Sequence, residues 1–314
     1  MRRLLIVITI GLFAGIPSGA TAAARPASMA AIGDSITAGF NSHTDTWQIP
    51  TAPDLTHCPT GLGPFGVPST TFGLDCPAHS WATGTGVNSI YLRLRASNPA
   101  IDVANYGVTA APVALLPAQA QEAAKQGAEL VTVLIGANDA CVPFQPHGTP
   151  TALPAFASQF RQAMDILSDA PSHPRILVAS IPDVYQAWQL FHTNPNAVSR
   201  WSAEVLCPPL FDNATSTAPV DVARRDAFRL LVAAYNLTEQ EICRRTPRCE
   251  TDHGALFRTQ LTRADIATLE NTGGIDAPAE AIVPSTADFL HPSIAGQNKL
   301  ADILWTAWNL SGAG

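Results

Sequence analysis

A serine, a histidine and a carboxylate acting together can break an acyl bond, and this 314-residue chain supplies all three beside turn-forming residues. Gly33-Asp34-Ser35 comes directly after an apolar run at 29–32, and Asp288-Phe289-Leu290-His291 comes just ahead of the C-terminal segment. A serine hydroxyl is a poor nucleophile until a base takes its proton. Histidine is the base suited to neutral pH, and a carboxylate orients the imidazole and stabilises its cation. Asp288 and His291 stand three apart, so one loop can carry both. The tetrahedral intermediate also needs preorganised donors for its oxyanion. The candidates are the Ser35 N–H at the start of a helix, the Gly107 N–H and the Asn138 side-chain amide. Asp34 reads as the cap of the helix that Ser35 opens. Asp139 reads as a brace of its own loop and receives no catalytic role.

Each fragment alone is weak, and their strength lies in what precedes them. The apolar runs 29–32, 101–106, 130–135 (LVTVLI) and 175–181 (RILVASI) read as short buried strands. Helical patterns at 88–97, 115–126, 156–167 and 294–308 lie between or after them. Strands alternating with helices imply a parallel sheet covered on both faces. Ligands of such sheets bind beyond the carboxyl ends of the strands. Ser35, Gly107 and Asn138 each follow a predicted strand, and His291 precedes the last helix. Residues 41–87 read as a Pro-, Gly- and Thr-rich insertion, and 185–270 as a mostly helical one.

In this order the blocks resemble those of the GDSL or SGNH hydrolases: Gly33-Asp34-Ser35, Gly107, Gly136-x-Asn138-Asp139 and Asp288-x-x-His291. Ile36 stands where the leucine of the family's name would be. The resemblance spans residues 28–309. It implies a flavodoxin-like three-layer α/β/α sandwich with a central parallel sheet, here carrying disulfide-stapled loop insertions. It implies Ser35 as nucleophile, His291 as general base and Asp288 as its orienter, with Ser35, Gly107 and Asn138 forming the oxyanion hole. His79-Ser80-Trp81, Cys141 and Leu206-Cys207-Pro208-Pro209 look most like the phospholipase-B-like branch. Lipid or phospholipid acyl esters are then the expected substrates. A carbohydrate-ester deacetylase or an acyltransferase would use the same site, and an inactive binding module is the rival from another class. No cofactor and no metal are expected.

Composition bounds the rest. Of the residues 46% are hydrophobic and 14% charged, enough apolar material for a sizeable core. Eighteen basic against 25 acidic residues give a net charge of −7, which carries no electrostatic footprint for nucleic acid. The only lysines are Lys125 and Lys299, neither after a glycine, so a Walker A loop is excluded. Arg2 and Arg3, an apolar run at 4–16 and small residues up to Ala24 read as a secretory signal peptide over 1–24. Residues 25–314 then form a single secreted domain, exported by a bacterial Sec route and expected to be a monomer touching lipid interfaces only transiently. Cys58, Cys76, Cys141, Cys207, Cys243 and Cys249 fit an oxidising compartment. They allow 15 pairings; the sequential set Cys58–Cys76, Cys141–Cys207 and Cys243–Cys249 is preferred because each bond staples one local loop. Gly61-Leu62-Gly63-Pro64-Phe65-Gly66 matches a dinucleotide fingerprint but follows no strand, and reads as a loop. Two aromatic groups, one with Trp47, Phe65 and Trp81 and one with Trp188, Phe191 and Trp201, either pack around the disulfides or wall an acyl site.

Overall fold

The computed structural model describes residues 25–42, 75–146, 148–268 and 287–310. The signal peptide, Cys58, the 61–66 glycine motif, Trp47, Phe65 and most of the first insertion lie outside them. Five parallel strands form one sheet: β1 (Ser28–Gly33), β2 (Asp102–Asn105), β3 (Leu130–Leu134), β4 (Arg175–Val178) and β5 (Cys249–Thr251). Their order is β2-β1-β3-β4-β5, the flavodoxin-like arrangement. Ala31 pairs with Asn105 on one side and Thr132 on the other, so β1 lies between β2 and β3. The order reverses at β1, and the crevice beyond the carboxyl ends of β1 and β3 is the expected ligand site.

Alternation along the strands makes two apolar faces. Ala30, Ile32, Val131, Val133, Ile176 and Val178 face one core. That core is covered by α3 (Leu116–Gln126), α5 (Leu153–Asp169) and α9 (Pro219–Arg245). Met29, Ala31, Leu130, Leu134 and Leu177 face the other, under α2 (Ile90–Ser97) and the last helix, α10 (Ile294–Ala307). Burial on both faces is why these strands read as continuous apolar runs. Phe156, Phe160, Ala163 and Leu167 line the buried side of α5, as their spacing predicts. Gly127 ends α3 in the left-handed conformation, its N–H donating to Ala123 and Ala124 carbonyls.

Shorter helices complete the described chain: α1 (Ser35–Ala38), α4 (Ala137–Cys141), α6 (Tyr185–Phe191), α7 (Pro195–Glu204) and α8 (Pro208–Phe211). The stretch expected to be mostly helical does contain α6 to α9, but it also contains β5. Cys-Glu-Thr has no apolar run to announce an edge strand of three residues. The Cys243–Cys249 disulfide turns the chain from α9 directly into it. Cys141 is bonded to Cys207, so both described disulfides are members of the sequential set. Among the described residues, no helix is long and apolar enough to cross a membrane.

Candidate active site

Gly33 ends β1 at φ +149, a conformation in which a side chain is strained. A Cβ there would stand 2.1 Å from the Leu134 carbonyl oxygen. Glycine therefore lets the chain leave the sheet beside β3 and turn at once into α1. Gln119 fixes the exit by accepting from the Gly33 N–H at 2.6 Å and donating to its carbonyl at 2.9 Å. Asp34 caps α1 by accepting from the Ile36 N–H at 3.0 Å. Ser35 is thereby the first helical residue, at the end of a central strand.

His291 reaches this serine from the other end of the chain. The Ser35 Oγ and His291 Nε2 are 2.8 Å apart, and the His291 Nδ1 and Asp288 Oδ2 are 2.6 Å apart. The 288–291 loop is clamped to residues 266–268: the Ala267 N–H donates to the His291 carbonyl at 2.8 Å and the Phe289 N–H to the Ala267 carbonyl at 2.9 Å. With Phe289 at φ +56, Asp288 Oδ1 accepts from the N–H groups of Leu290 and His291 at 2.9 and 2.8 Å. Oδ2 also accepts from the Asn41 amide at 2.6 Å. The Trp201 indole N–H holds the Asp288 carbonyl at 3.1 Å. The Phe40 ring meets the imidazole edge-on, centroids 4.8 Å apart. Gln297 on α10 donates to the Ile36 carbonyl at 3.0 Å and accepts from the Trp81 N–H at 2.9 Å. It ties the last helix to the helix that Ser35 opens.

Burial of Asp288 works against its charge, but His291, Asn41 and the backbone donors outweigh it and hold the carboxyl below its usual range. Burial likewise opposes protonation of His291, and the facing Asp288 carboxylate overcomes it, raising the imidazole above its ordinary value. Behind the site, burial raises Asp34 to about 7 and Asp139 to about 6. Burial also takes Glu204 to about 7, against the opposing pull of Arg200. Glu239 is pushed far up by burial and then by Asp252, Asp139 and Asp34.

The three expected oxyanion donors fall into different places. Ser35 and Asn138 line one cleft together with His291. Asn138 uses one amide hydrogen on the Ala111 carbonyl at 3.1 Å, which orients the group and leaves the second hydrogen. Gly107 does not line the cleft: its N–H donates to Asn105 Oδ1 at 2.9 Å. A Cβ there would meet the Ala38 nitrogen at 2.9 Å, so this glycine serves the close approach of the loop after β2 to α1. Asn105 locks that approach by donating to the Thr37 carbonyl at 2.8 Å. Ala110 stands in the cleft instead, at φ +60 and without an acceptor for its N–H among the described residues. Asp139 braces its loop as expected, accepting from the Val113 N–H at 2.8 Å and the Thr151 hydroxyl at 2.7 Å.

The cleft, counted together with the solvent-open space at its mouth, measures about 620 Å³. Its walls are mostly apolar, with Ile36, Phe40, Val184, Leu206 and Leu290 near the serine and Phe144 at 43% exposure. Trp188 and Phe191 take no part in it. Trp188 stacks on His192 and under the Arg225 guanidinium, and Phe191 packs edge-on against Phe289 in the core. The second aromatic group is therefore packing, and its Trp201 acts through Asp288. Among the described residues no cluster of three acidic, histidine or cysteine side chains could hold a metal ion. Sequence reasoning missed Asn41, Ala110 and Gln297, and it offered Trp201 only as packing or an acyl wall, not as a partner of Asp288. None lies in a motif, and Ala110 in particular is a residue type that gives no sign of a positive φ.

Residues 29–304 match the GDSL-like lipase/acylhydrolase family. No curated protein matches the chain. Among solved structures, an acetylxylan esterase of Geobacillus stearothermophilus is similar at 19% identity, over 89% of this chain and 93% of that one, with a TM-score of 0.45. An extracellular lipase of Streptomyces rimosus is 12% identical over 89% and 99%, TM-score 0.44. A phospholipase A1 of Streptomyces albidoflavus is 13% identical over 88% and 98%, TM-score 0.38.

Proposed function

The chain belongs to the GDSL-like lipase/acylhydrolase family, and we propose that it is a secreted serine hydrolase cleaving lipid or phospholipid acyl esters through an acyl-enzyme. The observation that carries this reading is the relay Ser35 Oγ–His291 Nε2–Asp288 Oδ2, at 2.8 and 2.6 Å, opening into an apolar cleft. His291 Nε2 takes the Ser35 proton as Oγ attacks the ester carbonyl. Asp288 accepts the Nδ1–H and stabilises the imidazolium. The oxyanion is met by the Ser35 N–H, the free Asn138 amide hydrogen and the Ala110 N–H, which takes the place expected of Gly107. His291 then gives its proton to the leaving alkoxide. A water molecule, deprotonated by the same imidazole, releases the acid from Ser35. Export follows from the leader at 1–24, and the two described disulfides suit an oxidising compartment.

The test is a hydrolysis series on oxidised protein, from nitrophenyl acetate to palmitate and a diacyl phospholipid, with Ser35→Ala as blank. The expected result is a rate on medium or longer acyl chains that vanishes in the variant. A rate confined to acetate moves the substrate to carbohydrate acetyl esters, and no rate above the blank overturns the esterase reading.

A further inference from the structure

We infer that Asp75 is a positioning residue for the oxyanion hole, holding the Thr109 hydroxyl and with it the turn that presents the Ala110 N–H to the cleft; this rests on the esterase reading above. The Ala111 N–H donates to the Val108 carbonyl at 3.0 Å, which closes a four-residue turn over 108–111. Thr109 keeps a negative φ and Ala110 stands at +60, the sign pattern of a type II turn. That turn asks for glycine at its third position, and an alanine held left-handed there is disfavoured by about five- to thirtyfold. A type I turn puts its third residue at negative φ, which alanine takes without strain. Passing from one type to the other turns over the 109–110 peptide. The Ala110 N–H then leaves the cleft and the Thr109 carbonyl oxygen comes toward it, the wrong end of the dipole for an oxyanion.

A residue in a disfavoured conformation persists only where its surroundings impose it. The corners of the turn do not choose. The Val108 N–H donates to the Gly33 carbonyl at 3.1 Å, and the Ala111 carbonyl accepts from the Asn138 amide at 3.1 Å. Both turn types share those corners, so bonds made there serve either one. The bond that acts on the middle of the turn comes from Thr109, whose hydroxyl donates to Asp75 Oδ1. Asp75 is itself anchored. Its neighbour Cys76 is fully buried and disulfide-bonded. The Cys76 carbonyl accepts from the His79 N–H at 2.8 Å. It also lies 2.2 Å from where a Cβ of Gly39 would stand, and Gly39 ends α1 at φ +71. That glycine admits the close approach, so Asp75 is carried against the end of the helix that Ser35 opens. Thr109 lines the cleft but takes no part in the relay. The Asp75 carboxylate therefore acts on the reaction through this hydroxyl and the turn.

The experiment measures kcat and KM on the best nitrophenyl ester for Asp75→Ala, Thr109→Val and Thr109→Ser. Asp75→Ala and Thr109→Val are then repeated in a chain carrying Ala110→Gly and scaled to that chain. Crystal structures of the native chain and of Thr109→Val read the direction of the 109–110 peptide. In the native background, Asp75→Ala and Thr109→Val are expected to lower kcat about tenfold, the scale of the left-handed penalty, with KM changed by less than about twofold. Thr109→Ser keeps the hydroxyl and is expected to retain most of kcat. Beside Ala110→Gly, the same two changes are expected to cost less than about twofold, because glycine holds the type II turn without the clamp. An equal loss in both backgrounds is ordinary loop damage and overturns the inference, as does a 109–110 peptide that keeps its native direction in Thr109→Val. Absent turnover in every protein, with the peptide turned over in Thr109→Val, defeats the esterase reading and leaves the clamp standing.

Discussion

At the scale of single residues, the site divides into groups that react and groups that hold them. Ser35→Ala removes the nucleophile and leaves the packing almost unchanged, so hydrolysis is expected to fall to the uncatalysed rate with the melting temperature within about 2 °C of native, the usual small effect of a mild substitution. Asn138→Ala removes one oxyanion donor, and kcat is expected to drop about a hundredfold or more; a near-native kcat would take Asn138 out of the hole. Gly107 and Ala110 separate by opposite substitutions. Ala110→Gly keeps the N–H and relieves a left-handed alanine, for which the penalty is about 1 kcal/mol. Activity is expected to hold while stability rises by up to that amount in a denaturant titration. Gly107→Ala drives a methyl against the Ala38 nitrogen, 2.9 Å away, and is expected to lower stability. If Ala110→Gly were instead the destabilising change, the left-handed alanine would carry no strain, and a loss of activity with the N–H kept would count against Ala110 in the hole. The base sets the acid limb. Burial opposes charge on His291, yet Asp288 raises its pKa, so kcat/KM is expected to decline as pH falls through a value above the ordinary histidine figure of about 6.5. A profile flat to pH 5 would remove His291 as base.

At the scale of elements, the strands and the block order were legible because chemistry and burial mark them locally. A strand covered on both faces is a short apolar run, and Ser35 and Asn138 come straight after such runs. What stayed hidden depends on partners distant in sequence. β5 owes its place to a disulfide and to pairing with β4, not to its own Cys-Glu-Thr. Asn41 became part of the relay only when the loop carrying Asp288, 247 residues on, folded against it. The place of Gly107 is not legible because a glycine after a strand looks the same whether it frees an N–H for a ligand or, as its bond to Asn105 and its closeness to Ala38 favour, makes room for a helix. The Cys141–Cys207 bond is the element-scale support of the proposed hole. It bolts the five-residue α4, which carries Asn138, to the start of α8 across 66 residues of chain. On the chain-entropy account, closing such a loop is worth about 4 kcal/mol. Cys141→Ala with Cys207→Ala is therefore expected to lower the denaturation midpoint. It is also expected to reduce kcat more than it raises KM, because a loosened α4 misplaces the amide donor. An unchanged kcat in the folded double variant would show that α4 holds Asn138 without the bond.

At the scale of the whole molecule, the site rests on acids that the fold has buried. Asp34 at about 7, Asp139 at about 6 and Glu204 at about 7 bind protons more tightly folded than unfolded, as does Glu239. Groups raised in this way contribute stability that is complete below their unfolded values and is lost as pH climbs through the folded ones. Asp288 and Asp265 are lowered instead, so above pH 5 they are ionised in both states and add no slope. His291, being raised, acts in the same direction as the buried acids. The fold is therefore expected to be more stable at pH 5.5 than at pH 8, although activity runs the other way. Asp34 alone holds an extra proton from pH 5.5 to about 7, which at 1.36 kcal/mol per unit is about 2 kcal/mol. For a domain of this size that is about 3 °C in melting temperature. Asp34→Asn keeps an oxygen for the Ile36 N–H and removes the titration. Its melting temperature is expected to vary less between the two pH values than that of the native chain. Calorimetric melts at pH 5.5 and 8 check both statements, and an equal pH dependence in the two proteins would mean that Asp34 is ionised in the folded state throughout. The opposed trends have one cause: the carboxyls that cap and brace the catalytic loops are buried beside a base that must stay neutral to work, so the pH that suits the loops does not suit the reaction.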